Sequence, residues 1–280
     1  MGFFQRSNIK VGIALSSGAA RGLAHIGVLK ALTEAGITID FIAGTSMGAL
    51  VGACFAKDGD FTELEKTALK TDWRQLARLL DPSLNALKKG LINGKRVEKL
   101  IYSLLEELEF KDLKIPLSVV TTDVRTGHEV VITKGKVVSA VRASISIPGI
   151  FVPVIVQGRC LVDGGANNPL PTDIVKKMSA NTIIAVNVLV DPEKRKMLTP
   201  LQDGDTSGIP NIFDTLVQSI YIMEYEIVRG KRIDADFMIN PGVDHIQAFE
   251  FHRGKEAIKL GYEAAKKQIP GILETIQSRK

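Results

Sequence analysis

The hydrophobic pattern at the front of the chain predicts alternating strands and helices. The apolar run Val11 to Leu15 has no polar residue and is typical of a strand buried on both faces. Apolar residues at helical spacing follow from Leu23 to Leu32, and this helix is expected to end at Gly36. The segment Ile37 to Ala43 predicts a second strand, and the charge-free segment Ala49 to Ala56 predicts a second helix. This order predicts parallel neighbouring strands.

The hydrophobic pattern of the rest of the chain predicts further strands and helices. Strands are predicted at 117–124, 129–133, 160–162, 182–190 and 236–239, with an extended segment at 150–156. Helices are predicted within 60–108, with breaks at 81–82 and 90–94, and at 136–144, 212–228 and 254–268. The polar segment 191–210 exceeds the usual length of a loop and predicts a flap. Together these elements predict an α/β fold with a doubly wound, mostly parallel sheet and helices on both faces.

Composition and charge exclude few classes of protein. The chain has 280 residues, 45% hydrophobic and 24% charged, which is ordinary for a soluble globular protein. The net charge of +5 comes from scattered residues without interleaved aromatics, so we expect no nucleic-acid partner but a weak attraction to anionic lipid surfaces. The two cysteines, Cys54 and Cys160, indicate a reducing compartment, and no His, Asp or Glu cluster has metal-ligand spacing. We therefore expect a cytoplasmic protein, peripheral to membranes, without metal or cofactor.

The segment Gly44-Thr45-Ser46-Met47-Gly48 carries the clearest chemical signal. It has the form G-x-S-x-G and lies between a predicted strand and a predicted helix. In such a strand-to-helix turn the serine has a strained backbone and an outward-pointing hydroxyl. Glycines two residues to either side permit close packing of strand and helix, because a Cβ there would clash. The context therefore predicts that Ser46 is a nucleophile.

The general base that Ser46 would need stays open on chemistry alone. The four histidines are His25, His128, His245 and His252. A histidine in a late loop is a common base in serine hydrolases, which makes the last two candidates. Asp163 suits the role better, because it follows a short strand and two glycines after it allow a tight turn. The same carboxylate could instead cap its own loop.

Small residues after the first strand predict an anion-binding loop. Ser17, Gly18 and Ala19 precede a helix, and backbone N–H groups at such a position attract negative charge. They could bind the oxyanion of an ester-hydrolysis intermediate, or Ser17 could simply cap the helix. Arg21 could bind a phosphate head group or brace the loop, and bracing is the expected role. A nucleotide-binding loop is the competing hypothesis, but no Lys-Ser or Lys-Thr follows and G-x-G-x-x-G is incomplete.

Three separated motifs resemble those of the patatin-like phospholipases, in particular the bacterial members related to neuropathy target esterase. The loop Ser17-Gly18-Ala19-Ala20-Arg21-Gly22 is similar to the family's G-G-G-x-R-G loop, with two glycines replaced. The Ser46 motif and Asp163-Gly164-Gly165 are similar to its G-x-S-x-G and D-G-G motifs. The segments at 23–29 and 143–153 also look like the family's. The resemblance covers about residues 9 to 175.

This resemblance implies the identity of the site residues. Ser46 would be the nucleophile and Asp163 the base of a Ser-Asp dyad that uses no histidine. Backbone N–H groups of Ser17, Gly18 and Ala19 would form the oxyanion hole. The residues implied to support these motifs are Arg21, Gly22, Gly44, Gly48, Gly164 and Gly165. If Ser17 or Ala19 needs a positive φ, its Cβ costs about 1 kcal/mol.

The resemblance also implies an architecture and an activity. It implies a patatin-like three-layer hydrolase, with a catalytic core at 9–175 and a continuation of the same domain at 176–280. The expected reaction is hydrolysis of the acyl ester of a phospholipid or lysophospholipid, with transient contact with a membrane surface. The expected acyl pocket is apolar, with walls from 41–56, 147–154 and 213–227. The alternative is a non-catalytic lipid-binding or regulatory protein that keeps the fold.

Overall fold

The computed structural model describes residues 9–70, 94–191 and 212–279, and one sheet contains all the strands named within these ranges. In chain order the strands are β1 (Val11–Leu15), β2 (Phe41–Thr45), β3 (Leu117–Asp123), β4 (Glu129–Ile132), β5 (Val154–Val156), β6 (Arg159–Asp163), β7 (Thr182–Val186) and β8 (Phe237–Ile239). The helices are α1 (Ala24–Glu34), α2 (Met47–Asp58), α3 (Thr62–Lys70), α4 (Lys95–Leu105), α5 (Val137–Ser144), α6 (Thr172–Lys177), α7 (Ile212–Gly230) and α8 (Gly254–Ser278). Short 3-10 helices occupy Ala19–Leu23, Phe110–Asp112, Gly164–Ala166 and Phe251–Arg253.

The strand order confirms the predicted mostly parallel sheet. The order is β5-β6-β3-β2-β1-β7-β8, and β4 also pairs with β3. The five strands from β3 to β8 in this order run parallel, whereas β4, β5 and β6 add antiparallel pairs. The loops that follow β1 and β2 therefore leave the sheet at the same edge, which is where sites form in such folds.

Helices cover both faces of the sheet, as predicted, because successive side chains of a strand point to opposite sides. Ile13 and Leu15 belong to the larger core cluster, which includes apolar residues of α1, α2 and α8. Ala14 belongs to a smaller cluster with Ile174 and Val175 of α6. All five residues of β1 are buried, which explains their uninterrupted apolar sequence.

Two predicted strands differ from the observed ones by four residues at one end, whereas the bounds of the other predicted strands agree to within one residue. β2 begins at Phe41 rather than Ile37, because the Asp40 carboxylate accepts the Val11 N–H at 2.9 Å and ends the connection there. β7 ends at Val186 rather than Val190. Beyond it, the Val188 N–H donates to Ser16 Oγ at 3.0 Å, so the chain leaves the sheet to line the loop after β1.

The helix predictions differ mainly in length. The last helix continues past the predicted end at Gln268 and through Pro270 to Ser278, because its apolar face persists and Ile272 is fully buried. The short helix α6 was not predicted, since six residues hold too little periodicity. The predicted break at 81–82 lies outside the described residues, and so do all but residue 94 of the break at 90–94 and all but residue 191 of the flap at 191–210. Within the described residues, no helix is long and apolar enough to cross a bilayer.

Candidate active site

Ser46 lies at a sharp turn between β2 and α2. Its φ of 55° and ψ of −121° are unusual for a residue with a side chain. The flanking glycines make the turn possible: a Cβ on Gly44 would lie 2.5 Å from the Gly48 carbonyl oxygen, and one on Gly48 would collide with the Leu15 carbonyl. The predicted steric role of these two glycines is therefore confirmed.

The side chain of Ser144 holds this turn in place. The Ser46 N–H donates to Ser144 Oγ at 2.8 Å, and that hydroxyl donates to the Val120 carbonyl at 2.6 Å. Ser144 is fully buried at the end of α5. No local sequence pattern reveals this contact, because Ser144 is 98 residues from Ser46 along the chain.

Strand register brings Asp163 to Ser46. Thr45 of β2 pairs with Val120 on one side of β3, and Asp163 of β6 pairs with Thr121 on the other side. Asp163 therefore lies level with Ser46, the residue that follows Thr45. Ser46 Oγ donates a 2.6 Å hydrogen bond to Asp163 Oδ2, while Asp163 Oδ1 accepts the Gly165 N–H at 2.8 Å. The carboxylate thus caps its own turn and also contacts the serine, so the two interpretations that the sequence left open are compatible with each other.

Burial sets the protonation chemistry of this pair. Ser46 is 6% exposed and Asp163 is 4% exposed. Desolvation raises the pKa of Asp163 from 3.8 to about 7, although the hydrogen bonds from Ser46 and Gly165 oppose the shift. A carboxylate with a pKa near neutrality can take a proton from a hydroxyl and return it, which an ordinary aspartate does poorly.

The loop after β1 offers fewer oxyanion donors than the sequence suggested. The Ser17 N–H donates to the Pro169 carbonyl at 2.9 Å, so this amide is already used within the fold and the expected donor set needs correction. Gly18 is the N-cap of the 3-10 helix and Ala19 is its first residue, positions whose N–H groups have no acceptor within the helix. Ala19 has a φ of 48°, so a side chain occupies a left-handed position that the family motif gives to glycine.

Arg21 and Gly22 support this loop. Arg21 is 1% exposed, its Nη1 donates to the Ile246 carbonyl at 3.3 Å, and its guanidinium lies 4.7 Å from the centre of the Tyr221 ring. The expected bracing role agrees with these contacts. A Cβ on Gly22 would collide with the side chain of Met47, so glycine lets the loop approach the start of α2.

The histidines lie in places that suit other roles. His25 is fully buried, its Nε2 lies 2.9 Å from the Ser16 carbonyl oxygen, and burial lowers its pKa to about 4. His245 is exposed and contacts Glu256 at 2.7 Å. His128 and His252 are also exposed. His25 therefore fixes the backbone of the loop after β1.

Glu224, on α7, is a site residue that the sequence did not reveal. It is 3% exposed, and its Oε2 accepts a 2.8 Å hydrogen bond from Ser17 Oγ. Burial raises its pKa to about 8, with a further increase from Asp163. The helix sequence contains two glutamates, Glu224 and Glu226, among large apolar residues on several faces, and this pattern does not tell a buried acid from an exposed one.

Helix α7 also carries exposed apolar side chains beside the site. Leu216 lies against Gly149, where it would collide with a Cβ. Ile212, Leu216 and Met223 are spaced to share one face of the helix and are exposed, as is Val152 near Gly149. We call these four residues, Val152, Ile212, Leu216 and Met223, the apolar patch. The side chain of Phe213, an expected pocket residue, lies outside the described side chains.

Within the described ranges, no three His, Cys, Asp or Glu side chains lie close enough together to hold a metal.

A protein-family model described as patatin-like phospholipase matches residues 13–176. This range begins within β1, includes the Ser46 turn and the Asp163 strand, and ends before α7.

Two individual proteins are similar to this chain, each over a different share of its own length. An uncharacterised NTE family protein of Mycobacterium tuberculosis is 40% identical over 182 residues, which is 65% of this chain and 50% of that protein. The lysophospholipase NTE1 of Mycosarcoma maydis is 27% identical over 283 residues, which is 94% of this chain and 15% of that protein. The chain therefore spans about half the length of the mycobacterial relative and less of the fungal one.

The fold is also similar to a solved structure. The crystal structure of VipD from Legionella pneumophila aligns with a TM-score of 0.53 at 15% identity, over 95% of this chain and 67% of that chain. At this identity the likeness concerns the fold alone.

Proposed function

Because this chain belongs to the patatin-like phospholipase family, we propose that it hydrolyses acyl esters of phospholipids or lysophospholipids through Ser46 and Asp163. The observation that carries the proposal is the 2.6 Å hydrogen bond from Ser46 Oγ to a buried carboxyl whose pKa is raised to about 7. A nucleophile needs a base within hydrogen-bond reach, and this carboxyl meets that condition without a histidine.

In the first half of the reaction, Ser46 Oγ attacks the carbonyl carbon of the ester while Asp163 Oδ2 takes the hydroxyl proton. The carbonyl oxygen becomes an oxyanion, which the Gly18 and Ala19 N–H groups would stabilise. The tetrahedral intermediate then breaks its bond to the alcohol oxygen, and Asp163 returns the proton to that oxygen. The alcohol leaves, and the acyl group stays on Ser46.

In the second half, water replaces the alcohol. Asp163 takes a proton from water, whose oxygen attacks the acyl carbon at the same oxyanion site. The bond to Ser46 Oγ breaks, and the serine recovers its proton from Asp163. The products are a fatty acid and the free serine, so the reaction balances without a cofactor.

Two observations favour a lipid ester over a small soluble one. The fungal relative is named a lysophospholipase, and it matches 94% of this chain. Three of the four residues of the apolar patch lie on α7, the helix whose Tyr221 and Glu224 contact the loop after β1. An apolar surface beside the site could contact a membrane transiently and admit the acyl chain.

The proposal is tested by hydrolysis of a short-chain p-nitrophenyl ester and of lysophosphatidylcholine and phosphatidylcholine. We expect Ser46→Ala and Asp163→Asn each to lower kcat about 10³-fold or more. Ser103→Ala is the matched control, because the exposed Ser103 hydroxyl only donates to the Leu100 carbonyl of its own helix. A fluorophosphonate probe should label the wild type and Ser103→Ala but not Ser46→Ala.

Other outcomes would favour other functions. Equal turnover by the wild type and both dyad variants would exclude the dyad. An inactive wild type that a fluorophosphonate does not label, but that binds phospholipid vesicles, would favour the non-catalytic lipid-binding alternative.

A further inference from the structure

The Glu224 carboxyl touches both loops of the proposed active site. Its Oε2 accepts the Ser17 Oγ hydrogen bond at 2.8 Å in the loop after β1. A Cβ built on Gly165 would collide with Glu224 Oε1 and would lie 3.2 Å from Asp163 Oδ1, so the Glu224 carboxyl packs against Gly165 beside the Asp163 carboxyl. One side chain from α7 therefore spans the gap between the loop with the proposed oxyanion donors and the turn with the proposed base.

We infer that Glu224 is a positioning residue, which fixes the separation between the Ser17–Ala19 loop and the Asp163–Gly165 turn. The inference rests on the proposed function and adds a residue from outside the range 13–176 that matches the family model. Two features of the sequence fit it. The serine at 17, where the family motif has glycine, supplies the hydroxyl that donates to Glu224, and the glycine at 165 leaves room for the carboxyl.

The groups that face Glu224 determine its charge. They are Asp163 from β6, Arg21 and Ser17 from the loop after β1, and Tyr221 from its own helix. Burial is the largest effect and raises the pKa of Glu224 to about 8; ionised Asp163 raises it too, whereas Ser17 and Arg21 lower it. Two buried carboxyls this close cannot both ionise without a large cost. Proton abstraction by Asp163 therefore needs Glu224 to be neutral.

A neutral Glu224 also suits the oxyanion. Negative charge develops near the Gly18 and Ala19 amides during the reaction, one residue from the Ser17 hydroxyl that Glu224 contacts. An ionised Glu224 would repel that charge, whereas the neutral acid keeps the hydrogen bond without the repulsion. Activity should therefore fall as pH rises through about 8.

Glu224→Gln separates positioning from a merely structural role, because the amide keeps the volume and the acceptor but does not titrate. We expect its kcat at pH 7 to stay within about 3-fold of wild type and the fall near pH 8 to disappear. Glu224→Ala should lower kcat about 10-fold or more at every pH with little change in KM, because the loop loses its support. Glu226→Gln is the matched control: Glu226 lies on the same helix and contacts Arg229 at 3.3 Å, and its variant should keep the wild-type profile.

Persistence of the alkaline fall in Glu224→Gln, or a wild-type kcat for Glu224→Ala at pH 7, would overturn the inference. If Glu224→Ala does not fold, the pH profile of Glu224→Gln decides alone.

A second readout does not depend on turnover. The free energies of unfolding of Ser17→Ala, Glu224→Ala and the double variant should be non-additive, since both single variants remove the same hydrogen bond. Additive values would overturn the link between the two residues. An inactive wild type with non-additive values would instead reject the proposed function and keep the contact.

Discussion

Ser46 Oγ and Asp163 Oδ2 are 2.6 Å apart, although 117 residues separate them along the chain. Both groups are buried, so their hydrogen bond lies away from bulk water. The raised pKa of Asp163 follows from that burial, and it connects the geometry to two measurable pH dependences.

The first prediction concerns Asp163 and pH. A base must be ionised to act, so kcat/KM for a soluble ester should rise as pH increases through about 7, before the fall expected near pH 8. Stability should change in the opposite direction. Asp163 keeps its proton up to about pH 7 in the folded chain, whereas in the unfolded chain it loses the proton near pH 3.8. Between these two pH values the folded state therefore binds more protons than the unfolded state. The free energy of unfolding should therefore fall as pH rises from about 4 to about 7.

Asp163→Asn tests this assignment by urea unfolding at several pH values. The variant should lose the part of the decline that Asp163 causes, while Glu224, whose pKa burial alone still raises, should contribute a smaller decline of its own. An unchanged pH dependence in Asp163→Asn would contradict a raised pKa at this residue.

The second prediction concerns Ser144. Ser144→Ala removes the acceptor of the Ser46 N–H and the donor to the Val120 carbonyl, both of which are buried. We expect a loss of about 1–3 kcal/mol in the free energy of unfolding. We also expect kcat to fall about 10-fold, because the strained turn loses a fixed contact. Urea unfolding and ester hydrolysis measure the two effects, and Ser103→Ala should change neither.

The third prediction concerns Ala19. Glycine at this position relieves a φ of 48°, which is worth about 1–2 kcal/mol. It also loses a buried methyl group, about 0.8 kcal/mol, and gives the unfolded chain more freedom. Ala19→Gly should therefore change the free energy of unfolding by less than about 1 kcal/mol.

Ala20→Gly is the control for that balance, since Ala20 is equally buried but has no positive φ. It should cost about 1–2 kcal/mol, because nothing offsets the lost methyl group and the greater freedom of the unfolded chain. Equal losses for the two variants would show that the backbone at Ala19 stores no strain.

The fourth prediction concerns the apolar patch. Ile212→Asp and Met223→Asp place a charge where apolar side chains are exposed, so each should weaken binding to phosphatidylglycerol-containing vesicles about 10-fold. Sedimentation with the vesicles measures the binding. The control is Leu69→Asp, which alters an exposed apolar residue of α3 and should bind as the wild type does. Equal binding by all four proteins would argue against the patch as the contact surface.

The local sequence determined most of the fold around the site. β1 was predicted with its observed bounds, because a parallel strand buried on both faces has no polar residue. The turn at Ser46 was predicted because its two glycines are a local steric requirement. Family resemblance singled out Asp163, and the roles of Ser46, Asp163 and the oxyanion loop remain predictions.

Tertiary structure decided how these pieces meet, since a contact between distant segments depends on strand register and not on local pattern. The pairing of β6 with β3 brings Asp163 to Ser46. The Ser17 N–H, which the sequence predicted as an oxyanion donor, instead donates to the Pro169 carbonyl. In the sequence, Glu224 cannot be distinguished from an ordinary exposed glutamate of a helix. Only the packing of α7 across the loop after β1 buries it and gives it a hydrogen bond from Ser17.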